Sequence, residues 1–322
     1  MEIGKRTGLS AQTVSVIVRS LAQEGLVAKG EAQKGRMGPP TIPLSLNPKG
    51  AYAVGISLGY RHINVALIDF VGEVKFHTSM PLPSNDANGN HSELVETVRL
   101  AMTFLPRAQN TRIAGIGLAI PEDRDELALG PDGMAERFET IRQEIEAALG
   151  FEVYVQNDVT AAAAGESLFG AAKSLDDYLF FYLGAHLHHR LVLNHQIFQS
   201  PSQASNPIGL IELEKRLQVR GCPSEKLWLH DGQWPNFGAV KDSWINDCLA
   251  VLSDSVTSAS QFLPVKTVII SSYAPKLVCD EIAAALAERH PSLDTKVSEL
   301  VISPKALGAA SLPFSSKFTV SK

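Results

Sequence analysis

The sequence predicts an α/β protein, with a small basic helical head ahead of a larger α/β body. Three observations carry this. Residues 1–50 hold seven basic residues against three acidic ones, a net +4, while the whole 322-residue chain stands at −5, leaving −9 for the rest. At Tyr52 the pattern changes from short helical spacing to strand-length apolar runs. Strands, helix, strand, helix, strand and helix then follow in turn. At 45 % hydrophobic and 20 % charged residues, the chain is not disordered. Its 322 residues suit about two domains and allow three. No apolar run reaches the length of a membrane span. Cys222, Cys248 and Cys279 are widely spaced and form no close metal-binding pair. A reducing, cytoplasmic setting is the expectation.

In the head, Ile3 to Thr7 reads as a short helix and Gly8-Leu9-Ser10 as a tight turn. Ser10 is the expected N-cap of a helix over Ala11 to Glu24, which Gly25 stops. Leu9, Val14, Ile17, Val18 and Leu21 form its expected buried side. Leu26 to Ala28 reads as a strand, 34–40 as a basic glycine-rich tip, and Thr41 to Leu46 as the return.

In the body, Tyr52–Leu58, His62–Asp69 and Glu73–Met80 are strands; Ser92–Leu105 is a helix. Ile113–Ile120 is a buried strand, Gly133–Leu149 a helix and Phe151–Val155 a strand. An alanine-rich helix runs from Val159 to Phe169. Tyr178–Leu183 and Leu191–Val192 open a second lobe, with helices over Ile208–Arg220 and Ala239–Phe262. Strand Val265–Ser271 and helix Lys276–Glu288 follow, and Ala306–Ala310 starts a last helix of small residues.

Thr7-Gly8-Leu9-Ser10, Thr13-Val14-Ser15, Leu21 and Glu24-Gly25-Leu26-Val27 resemble a winged helix-turn-helix. That resemblance puts the second helix in a major groove, with Ser10, Gln12, Thr13, Ser15 and Arg19 facing DNA. Lys34 and Arg36 on the wing tip would reach phosphate or minor groove. The alternative is a small helical cap on a metabolic domain. A winged helix normally carries one more helix before Ile3, so the head reads as partly truncated, with little core.

Gly55 to Gly72, Gly115-Ile116-Gly117-Leu118-Ala119-Ile120-Pro121 and Gln156-Asn157-Asp158 extend the resemblance. Ala161 to Ala164, Glu166, Phe169-Gly170 and Leu307-Gly308-Ala309-Ala310 complete it. Together they resemble the ROK family, which groups bacterial sugar kinases with sugar-responsive repressors. The resemblance implies a winged helix over 1–48 and a two-lobed actin-like, ribonuclease H-like sugar-kinase fold. Its lobes would span 49–172 and 173–322, with the final helix returning to the first lobe.

In the family's kinases the first phosphate loop carries an acid, where this chain has Ser57-Leu58-Gly59-Tyr60. The second is glycine-rich, where this chain has Gly184-Ala185-His186-Leu187-His188-His189-Arg190. Ser271-Ser272 replaces the Gly-Gly pair of the adenine side, so neither ATP as cofactor nor kinase activity is expected. The sugar-site Glu and zinc-binding His are missing from 202–209, and Cys222 lacks its partner thiols, so no metal is expected. His186, His188 and His189 read as a mobile surface loop, with metal binding and a ligand or interface role as the alternatives. Asp158, the family's general base, is retained. It reads either as an effector contact or as the N-cap of the alanine-rich helix, and Asn157 likewise.

No catalytic residue is assigned. The expected protein is a sugar-responsive transcriptional regulator, a repressor, binding operator DNA and a carbohydrate effector as a homodimer or higher homo-oligomer, off the membrane. The alternatives are an active ROK-type sugar kinase and a vestigial scaffold.

Overall fold

The computed structural model describes residues 2–31, 42–81, 92–122, 134–198, 206–228 and 233–318. The wing tip with Lys34 and Arg36, and Ser202–Ser205, lie outside the described residues.

The head is built from α1 (Glu2–Thr7), α2 (Ala11–Gln23) and an antiparallel hairpin of β1 (Val27–Lys29) and β2 (Leu44–Leu46). Ser10 caps α2, its Oγ accepting the Thr13 amide at 3.1 Å. Gly25, at φ 73°, takes the left-handed turn that ends the helix. The expected buried face is only partly covered. Val14, Val18 and Leu21 are half-buried, while Leu9 and Ile17 stay exposed. Among the described head residues, Leu26 is the one buried apolar side chain.

Two five-stranded sheets follow. The first has β3 (Tyr52–Leu58), β4 (His62–Asp69), β5 (Val74–Pro81), β6 (Ile113–Ile120) and β7 (Val153–Asn157), in the order β5-β4-β3-β6-β7. The second has β8 (Tyr178–Leu183), β9 (Leu187–Leu193), β10 (Gln196–Phe198), β11 (Thr267–Ser272) and β12 (Asp294–Val297), in the order β10-β9-β8-β11-β12. Each is an antiparallel meander extended by two parallel strands, so one plan occurs twice. β3 is buried at every position, and β6 at all but its last. Both read as continuous apolar runs because helices cover both faces of the sheet.

Helices α3 (Ser92–Thr103) and α4 (Met134–Leu149) pack on one face of the first sheet around Val98, Ile116, Leu118 and Ile145. In the second lobe α6 (Leu210–Val219), α7 (Ala239–Ser260) and α8 (Lys276–Arg289) enclose Leu213, Trp244, Val268 and Ile282. The last two helices that matter here are α5 (Asp158–Phe169) and α9 (Pro304–Phe318). α9 leaves the second sheet and packs against α5, β3 and β6 of the first lobe. Glycines make this possible. A Cβ on Gly55 would lie 2.0 Å from the Ala306 carbonyl oxygen, and one on Gly117 would lie 1.8 Å from that of Ala309. On Gly308 it would lie 1.7 Å from the Ala161 oxygen. Only backbone without a side chain fits at such distances.

The structure corrects one expectation in the second sheet. His186–Arg190 is not a surface loop: Leu187 onward forms β9, and His188 and Arg190 are buried. Polar side chains there face partners on the other lobe, which their sequence neighbours do not reveal. β10 and β12 are short strands at the sheet edges whose residues carry no apolar run.

Two outcomes are expected. Gly308→Ala, measured by denaturant unfolding, loses about 3 kcal/mol or more through overpacking, while exposed Ser315→Ala stays within about 0.5 kcal/mol. Burial pushes the Cys248 thiol up to about 12 and the Cys279 thiol up to about 11, while Cys222 is part-exposed. A thiol reagent at neutral pH therefore titrates Cys222 in the native protein and the other two only after unfolding.

Candidate functional site

Strand β7 ends, and helix α5 begins, at Asn157-Asp158. Asn157 is the N-cap: its Oδ1 accepts the Val159 amide at 2.9 Å and the Thr160 amide at 3.0 Å. Asp158 is therefore not the cap. It is the first residue of the helix and 1 % exposed. One carboxylate oxygen accepts the Glu122 amide at 3.1 Å, and the other accepts from Lys305 Nζ at the start of α9. The Lys305 ammonium also lies 4.2 Å from the centre of the Tyr182 ring. A carboxylate at a helix N-terminus is stabilised by the helix dipole, and here an ion pair adds to it.

A second charged group lies beside the first. Arg190 of β9 donates to Glu122 Oε2, to Asn157 Oδ1 at 2.8 Å and to Thr160 Oγ1 at 3.0 Å. His188 Nδ1 stands 3.6 Å from the same Glu122 oxygen. Arg190 belongs to the second sheet and its three partners to the first lobe, so this guanidinium joins the lobes. Farther along the cleft, Arg61 pairs with Glu214 of α6 at 2.7 Å, and His62 Nδ1 lies 2.7 Å from the Tyr273 hydroxyl. Tyr60 rests on Trp228, ring centres 4.9 Å apart. The first hairpin is thus seated on the second lobe by side chains, where a kinase of this architecture would pass phosphates. Ser271 and Ser272 are committed to structure: Ser271 donates to Glu166 at 3.1 Å, and Ser272 to the Leu183 carbonyl at 2.6 Å.

Glu166 lies within α5 with no exposure and also accepts the Ala171 amide at 3.0 Å. Burial pushes its carboxyl above the usual range, against the bonds it accepts. The three cysteines do not fit a zinc centre. Cys248 and Cys279 are buried in the second-lobe core, and Cys222 stands in the turn after α6. Among the described residues, no group of three His, Cys, Asp or Glu side chains could hold a metal ion.

In the head, Gln12, Thr13, Ser15 and Arg19 are all exposed on α2. Ser10 and Thr13 share a hydroxyl hydrogen bond at 2.8 Å, and Ser15 Oγ donates to the Ala11 carbonyl at 2.9 Å. The base of α2 is tied to the body by Arg112, whose Nη1 donates to the Glu24 carbonyl at 3.2 Å and the Gly50 carbonyl at 3.0 Å. Arg112 immediately precedes β6, and Glu122 lies two residues beyond its far end. One buried strand therefore connects the Asp158 cleft to the head. Sequence reasoning missed Arg112, Glu122, Arg190 and Lys305, because each acts through a partner far away along the chain.

The geometry defines a two-lobed α/β protein of the actin-like kind. It superimposes on the crystal structure of a ROK family transcriptional regulator, a homologue of the E. coli MLC protein. The TM-score is 0.66 at 17 % identity, covering 97 % of this chain and 91 % of that one. The ROK hexokinase from Thermus thermophilus follows at TM-score 0.57 and 17 % identity, covering 80 % of this chain and 96 % of that one. At such identities the likeness is one of fold. The ROK family pattern matches residues 53–228, and the chain belongs to the ROK family. It is 25 % identical over 232 residues to the xylose repressor of Bacillus subtilis, covering 70 % of this chain. The chain spans 59 % of that repressor's length.

Two measurements test this geometry. Lys305→Met leaves the Asp158 charge buried without its cation and costs about 3–5 kcal/mol in denaturant unfolding, while adding Asp158→Leu recovers most of the loss. Because the folded Glu166 carboxyl is raised above its unfolded value, its ionised form opposes folding. The stability of the wild type relative to Glu166→Gln therefore falls as pH rises above the ordinary carboxylate value of 4.5.

Proposed function

We propose that this chain is a sugar-responsive, DNA-binding transcriptional regulator, a repressor, whose kinase-like body does not transfer phosphate. The observation that carries the reading is the engagement of Asp158. A general base must reach a substrate hydroxyl, and this carboxylate is buried and held by Lys305 and the Glu122 amide. The hairpin seated on Trp228, Tyr273 and Glu214 leaves the phosphate path filled. The similarity to a named repressor and to a regulator's fold supports the same reading.

In this reading α2 lies in a major groove, with Gln12, Thr13, Ser15 and Arg19 toward DNA and Ser10 at the helix start. Lys34 and Arg36 add phosphate contacts. A homodimer or higher homo-oligomer presents two heads to two half-sites. The protein works in the cytoplasm, and among the described residues no helix is long and apolar enough to cross a membrane. Asn157 and Asp158 border the cleft whose opening a carbohydrate would alter. β6 carries the change from Glu122 to Arg112 and so to the base of α2.

Retention of Asp158 and the hexokinase fold favour a second reading, a sugar kinase. ATP turnover with hexoses and amino sugars decides between the two. The filled cleft also suits a scaffold without ligand or DNA, and that reading requires the absence of salt-sensitive DNA binding.

The test is binding of the intact chain to DNA from upstream of its own gene, across salt and with candidate sugars. The regulator binds with affinity that falls steeply with salt, and a sugar shifts it. Arg19→Ala weakens DNA binding about tenfold or more. Arg112→Ala keeps the sugar-free affinity and reduces the shift a sugar causes. DNA binding that no sugar changes would refute the sugar response.

A further inference from the structure

A large cavity of the described structure lies away from Asp158. It measures about 880 Å³ and opens between the lobes. One wall is the outer part of the first sheet, β4 and β5; the other is the exit of β11 together with the segment 298–304 that leads into α9. This volume falls within the range of roughly 300–1,000 Å³ typical of small-molecule sites.

The lining has a consistent chemistry. The strand register sets Ser57, Asn64 and Ser79 side by side across β3, β4 and β5, on one face of the sheet. Asn64 and Ser79 of this row reach the cavity. Ser298 and Ser303 face them from the second wall, and the Tyr182 and Tyr273 rings lie between. Neutral donors and acceptors on two sides of aromatic faces suit a ligand with ring hydroxyls and an apolar face. Anions are poorly served. The one lysine in the lining, Lys276, is bonded to Asp280 on its own helix at 2.6 Å, and the carboxylate of Glu299 is part of the wall. Among the described residues that line the cavity there is no glycine to offer bare backbone to a phosphate. A separate pocket of about 40 Å³ lies toward the two hairpins, among Ser57, Tyr60, Tyr182 and Lys305.

We propose that this cavity binds a neutral monosaccharide or disaccharide, held by Asn64 and Ser79 from one lobe and by Ser298 and Tyr273 from the other. The proposal rests on the sugar-responsive reading above but moves the effector away from Asp158. It also explains how the sugar could act. Asp158 and Lys305 keep their ion pair while the ligand bridges the lobes at a distance, changing the angle at which they meet.

The experiment is titration calorimetry of the intact chain with D-xylose, D-glucose and sucrose, alongside ATP and glucose 6-phosphate. The expected result is binding of at least one of the three neutral sugars. Asn64→Ala then weakens it about tenfold, the worth of one good hydrogen bond. Ser79→Trp, which fills the cavity from an exposed edge-strand position, abolishes it with little change in melting temperature. Should Ser79→Trp fail to fold, Asn64→Ala alone carries the test. Sugar binding that persists in a folded Ser79→Trp, or that Asn64→Ala leaves unchanged, overturns the proposal. So does binding of ATP or glucose 6-phosphate alone, or of none of the three sugars at millimolar concentration. DNA binding measured on the same samples separates the two ideas. DNA binding without a neutral sugar in the cavity removes the site and keeps the regulator. A sugar in the cavity without DNA binding does the reverse.

Discussion

The close approach of α9 to α5 and to the first sheet sets the positions of most other groups discussed above. Glycine stands at each contact: Gly55 and Gly117 under α9, Gly165 beneath the Pro304 carbonyl, and Gly308 against Ala161. With side chains removed, the two helices meet at backbone distance and their N-termini converge at the cleft. This places Lys305, the second residue of α9, against Asp158, the first residue of α5. The helix dipole favours the carboxylate there but not the ammonium. Lys305 is buried because Asp158 and the Tyr182 ring receive its charge. The packing of small residues and the chemistry of the cleft are thus one constraint.

The closure of the cleft follows from it. With Asp158 oriented by Lys305, its other oxygen fixes the Glu122 backbone, and Glu122 then meets Arg190 from the opposite lobe. Buried charge pairs add little net stability against an apolar alternative, but they are strict about geometry. Breaking one partner leaves a buried charge, which is what holds the lobes in this arrangement. The same β6 strand that presents Glu122 begins beside Arg112, the clamp on the head. The contact between the lobes and the contact with the head share one buried strand.

Much of the fold was legible in the sequence, and the reasons are local. Tyr52–Leu58, His62–Asp69, Ile113–Ile120 and Tyr178–Leu183 were expected with the bounds they have, because apolar runs flanked by Gly, Pro or Asp mark buried strands. Ser10 and Gly25 bounded α2 by capping chemistry that acts within a few residues. The strand at Leu187–Leu193 was underestimated because His188 and Arg190 look like surface residues until Glu122 and Asn157 are brought to them.

For the site, the sequence by itself determined which groups were available: an Asn-Asp pair at a strand-to-helix junction, a glycine-poor second loop, and a last helix of small residues. It determined as well the charge contrast between the head and the acidic body. Only the tertiary structure decided what those groups do. It made Asn157 the cap, gave Asp158 a lysine from 147 residues away, and made Arg190 a bridge between lobes. The reason is physical. Capping and strand burial are set by neighbours along the chain, whereas the partner of a buried charge is set by which backbones pack closely enough to exclude water.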